Sequence, residues 1–313
     1  MAKVCVVCMV LCVVPICEAF NELRGPPDRE GCEDEIEDCP ELKEELFDLT
    51  GHCRYPAAEL CMKTCGLCRR VRLARRCEVS SCHPFCVPQV DWVAFLQAAV
   101  ERAKPEIDAR LLSYKPVLAE FPHFLSTTEV EALSQVAWRS GFQREDDLPQ
   151  EVRDVHKVDC ERRSCLLDPL IQEIYQRLSD LLGIPPQNFE SMEFLLYEKG
   201  QHYEPHMDDE RWWEMPALSA GLRVLTVFFY LSKVHKGGET SFPNANLVVE
   251  PLAGKAVVWA NVQSNIWKMD EYSLHQAVPV VAGRKIAANF WVHPFEYRAA
   301  ERFCRHQEKT EKW

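Results

Sequence analysis

The chain has 313 residues, 47% of them hydrophobic, which is enough for one catalytic-size domain with a sizeable core and a small additional module. It carries 36 Lys and Arg against 48 Asp and Glu, which gives a formal net charge of −12. Because no basic surplus is available to neutralise phosphates, this balance argues against a protein that binds nucleic acid.

An apolar N-terminal stretch predicts a secretory signal peptide over residues 1–19. Lys3 precedes an apolar run from Val4 to Ile16, and Cys17 and Ala19 offer small residues for cleavage. The run is shorter than a bilayer-spanning helix needs, and no later run is longer. We therefore expect a protein of the ER lumen or a secreted protein, with no stable membrane span after cleavage. An uncleaved N-terminal anchor is the alternative.

The cysteines are concentrated after this stretch. Cleavage would remove four of the 16 and leave twelve, an even number typical of disulfide pairing in an oxidising compartment. Six lie between Cys32 and Cys68, in a segment too short to fold around an apolar core without cross-links. Its CxxC spacing also suits zinc, but a second CxxC or a His pair is missing, which favours disulfides. Sequence alone leaves about fifteen connectivities open.

Residues 32–68, which end in CMKTCGLC, resemble the ShK toxin-like (ShKT) domain. The resemblance implies a small disulfide-rich module with the pairs Cys32–Cys68, Cys39–Cys61 and Cys53–Cys65. Residues 69–89 then form a basic, cysteine-containing linker that begins RRVRLARR. We interpret it as a solvated linker, with a processing site as the alternative. Further along, Cys160 and Cys165 are predicted to form a short disulfide.

Residues 90–313 form the predicted main domain. Apolar residues at helical spacing predict three helices, at Val90–Ala103, Thr128–Ser140 and Pro169–Leu182. After Asn188 the pattern changes to short β-type runs bounded by Gly, Pro, Asn or charged residues. A helical segment followed by many short strands predicts a mainly β, α+β domain, with a jelly-roll barrel flanked by helices.

The segment YEKGQHYEPHMDD contains the first candidate metal ligands, His206 and Asp208. Residues two apart on an extended chain project from one face, so both side chains can reach one ion. A His-x-Asp pair alone is weak evidence, but His275 in SLHQAVPV offers a third ligand. Two histidines and one carboxylate leave open positions on the ion, as non-haem Fe(II) oxygenases require.

Lys285 follows ten residues after His275, at the start of KIAANFWVH. On an extended strand it shares a face with Ala287, Asn289, Trp291 and His293, which places the charge inside the barrel if that face points inward. A buried lysine without a partner is costly, so a carboxylate ligand explains it better than packing does. We expect this ligand to be 2-oxoglutarate. A solubilising residue at a strand edge is the alternative.

Five motifs in this order resemble the catalytic domain of prolyl 4-hydroxylases, above all the single-chain plant and algal enzymes. They are YEKGQHYEPHMD, RVLTVFFYLS, GGETSFP, SLHQAVPV and KIAANFWVH, and the similarity covers about residues 116–294. The resemblance implies a double-stranded β-helix that holds iron on His206, Asp208 and His275. It implies a 2-oxoglutarate site formed by Lys285, Tyr197 and Thr240. Residues at positions that line the peptide side of the site in the family are Tyr203, Arg223, Trp291 and His293.

The resemblance therefore predicts a peptidyl-proline 4-dioxygenase of the procollagen-proline type. Such an enzyme hydroxylates proline-rich polypeptides of the secretory pathway with O2 and 2-oxoglutarate, giving succinate and CO2. Its cofactors would be Fe(II), 2-oxoglutarate and L-ascorbate, and the single-chain resemblance suggests a monomer. Two alternatives are compatible with the same residues. One is a 2-oxoglutarate oxygenase that acts on another residue such as lysine, and the other is a non-catalytic secreted ShKT binding protein.

Overall fold

The computed structural model describes residues 89–146, 148–208, 220–266 and 268–294, with isolated residues at 38, 39, 41, 42, 61, 64 and 297. The predicted signal peptide, the linker before residue 89, most of the ShKT-like segment and the C-terminal residues lie outside this part. So do the implied pairs Cys32–Cys68 and Cys53–Cys65. The third implied pair, Cys39–Cys61, is present as a disulfide.

Four α-helices occur in the described chain, and three of them are the predicted ones. They are α1 (Trp92–Arg102), α2 (Thr127–Ser140), α3 (Arg163–Leu166) and α4 (Pro169–Leu182). Local sequence explains their ends. Ser126 and Glu129 form a reciprocal capping box at the start of α2, and Gly183 ends α4 at a positive φ of 69°. The predicted Cys160–Cys165 disulfide is also present and spans the start of α3.

The described chain contains fifteen short strands. In order they are β1 (Arg110–Tyr114), β2 (Val117–Phe121), β3 (Gln143–Arg144), β4 (Arg153–Asp154), β5 (His156–Asp159), β6 (Glu193–Tyr197), β7 (His202–His206), β8 (Leu225–Tyr230), β9 (Lys236–Gly237), β10 (Thr240–Phe242), β11 (Leu247–Val249), β12 (Ala256–Ala260), β13 (His275–Ala277), β14 (Val280–Ala282) and β15 (Lys285–Val292). The sequence pattern predicts strands only after Asn188, whereas five precede it. Most of those five are short or only partly buried, so apolar alternation is weak in them.

The strands form two main sheets. The larger has the order β1-β2-β12-β8-β15-β6-β5-β3, the smaller has the order β11-β10-β13-β7-β4, and β14 pairs separately with β9. Helices α1, α2 and α4 pack on one face of the larger sheet, and the smaller sheet covers the other face. The result is the predicted mainly β jelly-roll core with flanking helices.

Strand β15, in the middle of the larger sheet, shows how the sequence separates the two faces. Ile286, Ala288 and Phe290 point into the core that the helices share. The alternate residues face the smaller sheet, and they include the charged Lys285, whose exposed fraction is 1%. Lys285 is therefore inside the barrel, as its position on the strand predicts. None of the described helices is long and apolar enough to cross a membrane.

Candidate active site

Two neighbouring strands of the smaller sheet bring the three candidate metal ligands together. His206 ends β7 and lies opposite His275, the first residue of β13, and Asp208 follows two residues after β7. The ligand atoms of the three side chains lie within 4.8 Å of one another. Asp208 Oδ1 is 3.8 Å from His206 Nε2, and its Oδ2 is 3.7 Å from His275 Nε2. The sequence-predicted triad therefore converges on one point.

Main-chain carbonyls set the tautomer of both histidines. Nδ1 of His206 lies 2.8 Å from the carbonyl oxygen of Glu204, and Nδ1 of His275 lies 2.9 Å from that of Ser273. Because a carbonyl oxygen only accepts, each Nδ1 carries the hydrogen and each Nε2 keeps its lone pair for a metal. Burial and the neighbouring His275 lower the pKa of His206 to about 3, so its ring is neutral.

Asp208 is held by a buried chain of hydrogen bonds from the larger sheet. Thr226 Oγ1 donates to Asp208 Oδ2 at 2.5 Å, and Asn261 Nδ2 donates to Thr226 Oγ1 at 2.9 Å. Burial alone would raise the pKa of the Asp208 carboxyl, but His275, His206 and Thr226 lower it below its usual value. The carboxylate is therefore ionised and fixed in direction before any metal binds.

Thr226→Val is expected to lower the Fe(II) affinity about tenfold, because it keeps the shape of the side chain but removes the hydroxyl that orients Asp208. Thr226→Ser, which retains the hydroxyl, is the matched control and should stay near the wild-type affinity. Anaerobic Fe(II) titration measures both variants. Equal affinities of the valine and serine variants would show that this hydrogen bond does not support the metal site.

A cavity of about 470 Å³ lies between the two sheets and contains the triad in its wall. Its volume is in the range of small-molecule sites. Lys285 lies at one end, beside Tyr197 on the neighbouring strand β6. Lys285 Nζ has no hydrogen-bond partner and lies 5.2 Å from the ring centroid of Phe228 and 5.4 Å from that of Tyr197. Burial lowers the pKa of Lys285 to about 7.

An unpartnered buried cation in a cavity fits a ligand carboxylate, since a bound anion would supply the missing partner. Thr240 also lines this cavity, and its Oγ1 accepts a hydrogen bond from Tyr230 Oη at 2.7 Å. That leaves the hydroxyl hydrogen of Thr240 free to donate to a carboxylate. The three residues implied for 2-oxoglutarate, namely Lys285, Tyr197 and Thr240, thus line one cavity with the iron ligands. The residues present fit both Fe(II) and 2-oxoglutarate.

Three of the four residues implied for the peptide side also line the cavity. Tyr203 stacks on His206 with ring centroids 3.5 Å apart and planes 15° apart. Arg223 lies just before β8, and its Cζ is 3.6 Å from the ring centroid of Trp291. Arg223 also donates to both carboxylate oxygens of Glu190, at 2.5 and 2.8 Å. This bidentate pair fixes the guanidinium in the cavity wall.

The fourth residue, His293, lies behind the described wall of the cavity rather than in it. Its exposed fraction is 1%, and its ring nitrogens contact the carbonyl oxygen of Gly221 and Glu190 Oε1, both at 2.8 Å. Burial would raise the pKa of Glu190, but Arg223 and His293 lower it to about 2. His293 therefore contacts Glu190, which in turn binds Arg223 in the cavity wall. Strand β15 ends at Val292, so His293 no longer follows the alternation of the strand.

Sequence reasoning missed several residues that line the cavity or support its wall. They are Arg153, Glu190, Glu193, Thr226, Trp259 and Asn261. Their partners are distant in the chain, so local spacing carries no information about them. A charged residue in an otherwise apolar β run, such as Glu193 in MEFLLYE, is the one pattern that points to an inward polar group.

The site defines a class of protein: a jelly-roll oxygenase that uses Fe(II) and 2-oxoglutarate. Residues 192–293 match the family described as "2OG-Fe(II) oxygenase superfamily". Prolyl 4-hydroxylase 2 of Arabidopsis thaliana is 31% identical over 210 residues, which cover 58% of this chain and 69% of the plant protein. Prolyl 4-hydroxylase subunit alpha-2 of Caenorhabditis elegans is 28% identical over 223 residues, covering 66% of this chain and 41% of the nematode protein.

The chain belongs to the prolyl 4-hydroxylase family. Among solved structures, the viral collagen prolyl hydroxylase of Paramecium Bursaria Chlorella virus-1, in its 2OG complex, is 24% identical with a TM-score of 0.48. The match covers 56% of this chain and 95% of the viral chain.

Proposed function

We propose that the protein hydroxylates C4 of proline in proline-rich polypeptides of the secretory pathway. The observation that carries the proposal is the composition of the cavity end opposite Lys285, where Tyr203, Trp291 and Arg223 line the wall. Aromatic walls suit the polyproline II conformation, which is stiff and loses little entropy on binding. The family to which the chain belongs supports the same reaction.

Each group in the site has a distinct role in this reaction. When bound, Fe(II) and 2-oxoglutarate supply the oxidising chemistry, in which O2 gives succinate, CO2 and a hydroxylated proline. His206, Asp208 and His275 hold the metal. Lys285 binds the distal carboxylate of the co-substrate and excludes water from that end of the cavity. Tyr203, packed on His206, lies where it can orient the target ring beside the metal.

Hydroxylation of lysine instead of proline is disfavoured by the family relationship. A lysine hydroxylase would use the same metal and co-substrate residues, but the family to which the chain belongs acts on proline. A non-catalytic binding protein is disfavoured because the described site retains all three metal ligands and the buried lysine. The secretory location and the use of ascorbate rest on the predicted signal peptide and on the family resemblance.

Mass spectrometry of peptide products tests the proposal. Polyproline, Ser-Pro-rich and collagen-like peptides are incubated with the protein, Fe(II), 2-oxoglutarate and ascorbate, with the His206→Ala variant alongside. We expect a gain of one oxygen on proline that the variant does not produce. Formation of succinate without a hydroxylated peptide would support 2-oxoglutarate oxygenase activity but rule out proline in these peptides as the substrate. If folded, iron-loaded protein forms neither succinate nor hydroxylated peptide, the enzymatic proposal is overturned.

A further inference from the structure

The wall of the cavity opposite Lys285 contains a buried acid, Glu193, that has no role in the proposed reaction. In the register of β6 and β15, Lys285 pairs with Tyr197, and Asn289 pairs with Glu193. Four residues along a strand separate the two pairs by about 13 Å. Glu193 and Asn289 therefore lie at the peptide end of the cavity, away from the site for the distal carboxylate.

Glu193 belongs to a small group of buried charges. Its Oε2 accepts from Arg153 at 3.5 Å and from the Asn289 amide, oriented by its hydrogen-bond network, at 3.2 Å. Arg153 and Lys157 also pair with Glu145, at 3.1 and 2.6 Å. Arg153 Cζ lies 4.7 Å from the ring centroid of Tyr203, so this group contacts the ring that stacks on His206.

The second carboxylate oxygen of Glu193 is without a donor. Its nearest cation, Lys157 Nζ, is 3.9 Å away, and no described residue donates a hydrogen bond to Oε1. Glu193 has an exposed fraction of only 4% and lines the cavity. Oε1 is thus accessible from the cavity, and a ligand that displaces water from this oxygen must supply a donor to avoid leaving it unsatisfied.

The chemistry of this donor follows from its surroundings. Arg153 and Lys157 already lie near the carboxylate as its ion-pair partners, so a neutral donor can satisfy the remaining oxygen without burying a third cation. A main-chain N–H of the substrate is such a donor, and proline has none. We propose that Glu193 is a specificity-determining residue, which accepts a hydrogen bond from the main-chain N–H of a non-proline residue that flanks the target proline. This inference rests on the proposed function.

The protonation of Glu193 gives the proposal a second, independent signature. Burial raises the pKa of Glu193 to about 7, and Asp159, its partner in the register of β5, raises it further against the lowering effect of Arg153. The titratable and charged groups that face it are Arg153, Lys157, Asp159, Tyr197, Tyr203 and Arg223, with Glu145 behind them. The ionised carboxylate is the better acceptor, so peptide affinity should fall as the pH is lowered through about 7.

The test replaces each main-chain N–H of a nine-residue Ser-Pro repeat peptide in turn by N–CH3. Binding is measured by anaerobic calorimetry with Fe(II)- and 2-oxoglutarate-loaded full-length protein, and product is measured in air. Wild type should lose about tenfold in affinity at one peptide position. Glu193→Met, which removes both acceptors, should lose the sensitivity at that position. Glu193→Gln keeps one acceptor oxygen and should retain part of it, without the pH dependence.

Asp159→Asn is the matched control, because Asp159 belongs to the same group of charges but does not line the described cavity. It should keep the wild-type sensitivity to the methyl group. Equal sensitivity of wild type and Glu193→Met would overturn the inference. Sensitive binding without hydroxylated product would retain the inference and overturn proline hydroxylation of this peptide. Hydroxylated product without any position sensitive to N-methylation would retain proline hydroxylation and overturn the role of Glu193. Absence of both binding and product would overturn the role of Glu193 and proline hydroxylation of this peptide.

Discussion

Asp208→Ala is expected to lower the Fe(II) affinity more than about hundredfold and to reduce proline hydroxylation to background. The loss exceeds that for an orienting residue, since Asp208 is the only anionic ligand of the triad. Two neutral imidazoles would remain on the metal, and Thr226 would lose its acceptor. Anaerobic Fe(II) titration and succinate formation measure the two effects separately.

The control for this prediction is Glu204→Gln, on strand β7, which ends two residues before Asp208. Its side chain is 54% exposed, and only its main-chain carbonyl holds His206, so the substitution leaves the metal site intact. Both measurements should match the wild type. A protein that binds Fe(II) normally without the Asp208 carboxylate would show that another group supplies the anionic ligand.

Lys285→Met is expected to raise the dissociation constant for 2-oxoglutarate about hundredfold or more. Removing one partner of a desolvated charge pair leaves the carboxylate of the ligand buried without a counter-charge. Binding of 2-oxoglutarate, followed by calorimetry, measures the loss directly. Fe(II) affinity should be nearly unchanged, because Lys285 is not a metal ligand.

The same substitution should stabilise the ligand-free protein by at least about 1 kcal/mol near neutral pH. The pKa of Lys285 is lowered to about 7 from the ordinary 10.5, so between these values the unfolded chain binds more protons and the unfolding free energy of wild type rises with pH. The gain from Lys285→Met is therefore largest below pH 7 and shrinks towards pH 10.5. Urea unfolding of ligand-free protein across this range measures it.

Lys255 provides a contrasting control because it is also buried, with an exposed fraction of 8%, but is paired with Glu120 at 3.2 Å. Lys255→Met should destabilise the protein, since it weakens the pairing of a buried carboxylate. If both methionine variants were destabilised to the same extent, Lys285 would have a partner in the ligand-free protein, and the argument for a carboxylate ligand would fail.

The sequence was sufficient to predict that His206, Asp208 and His275 lie together and that Lys285 is buried, because strand alternation and the family resemblance both point to them. His206 and Asp208 are two residues apart beside a strand, and Lys285 lies on the inward face of β15 by simple alternation. The helices could also be predicted from the sequence, because a capping residue such as Ser126 and the terminating Gly183 are recognised from a few neighbouring positions.

The supports of the site could not be predicted in this way. Thr226 contacts Asp208 across 18 positions of the chain, and Asn261 contacts Thr226 across 35. His293 continues the alternation of β15 in sequence, but the strand ends one residue earlier and the side chain turns to Glu190. Such contacts depend on how the two sheets stack, which no single segment encodes.

The metal ligands and Lys285 are attached to different layers of the jelly roll. His206 and His275 belong to the smaller sheet, whereas Lys285 belongs to the larger one. A co-substrate bound at both ends would therefore link the two sheets, which otherwise contact each other through side-chain packing. Its binding is expected to raise the melting temperature with concentration, because a ligand that binds only the folded state stabilises it by mass action. The bound co-substrate would thus contribute to the stability of the domain as well as to its reaction.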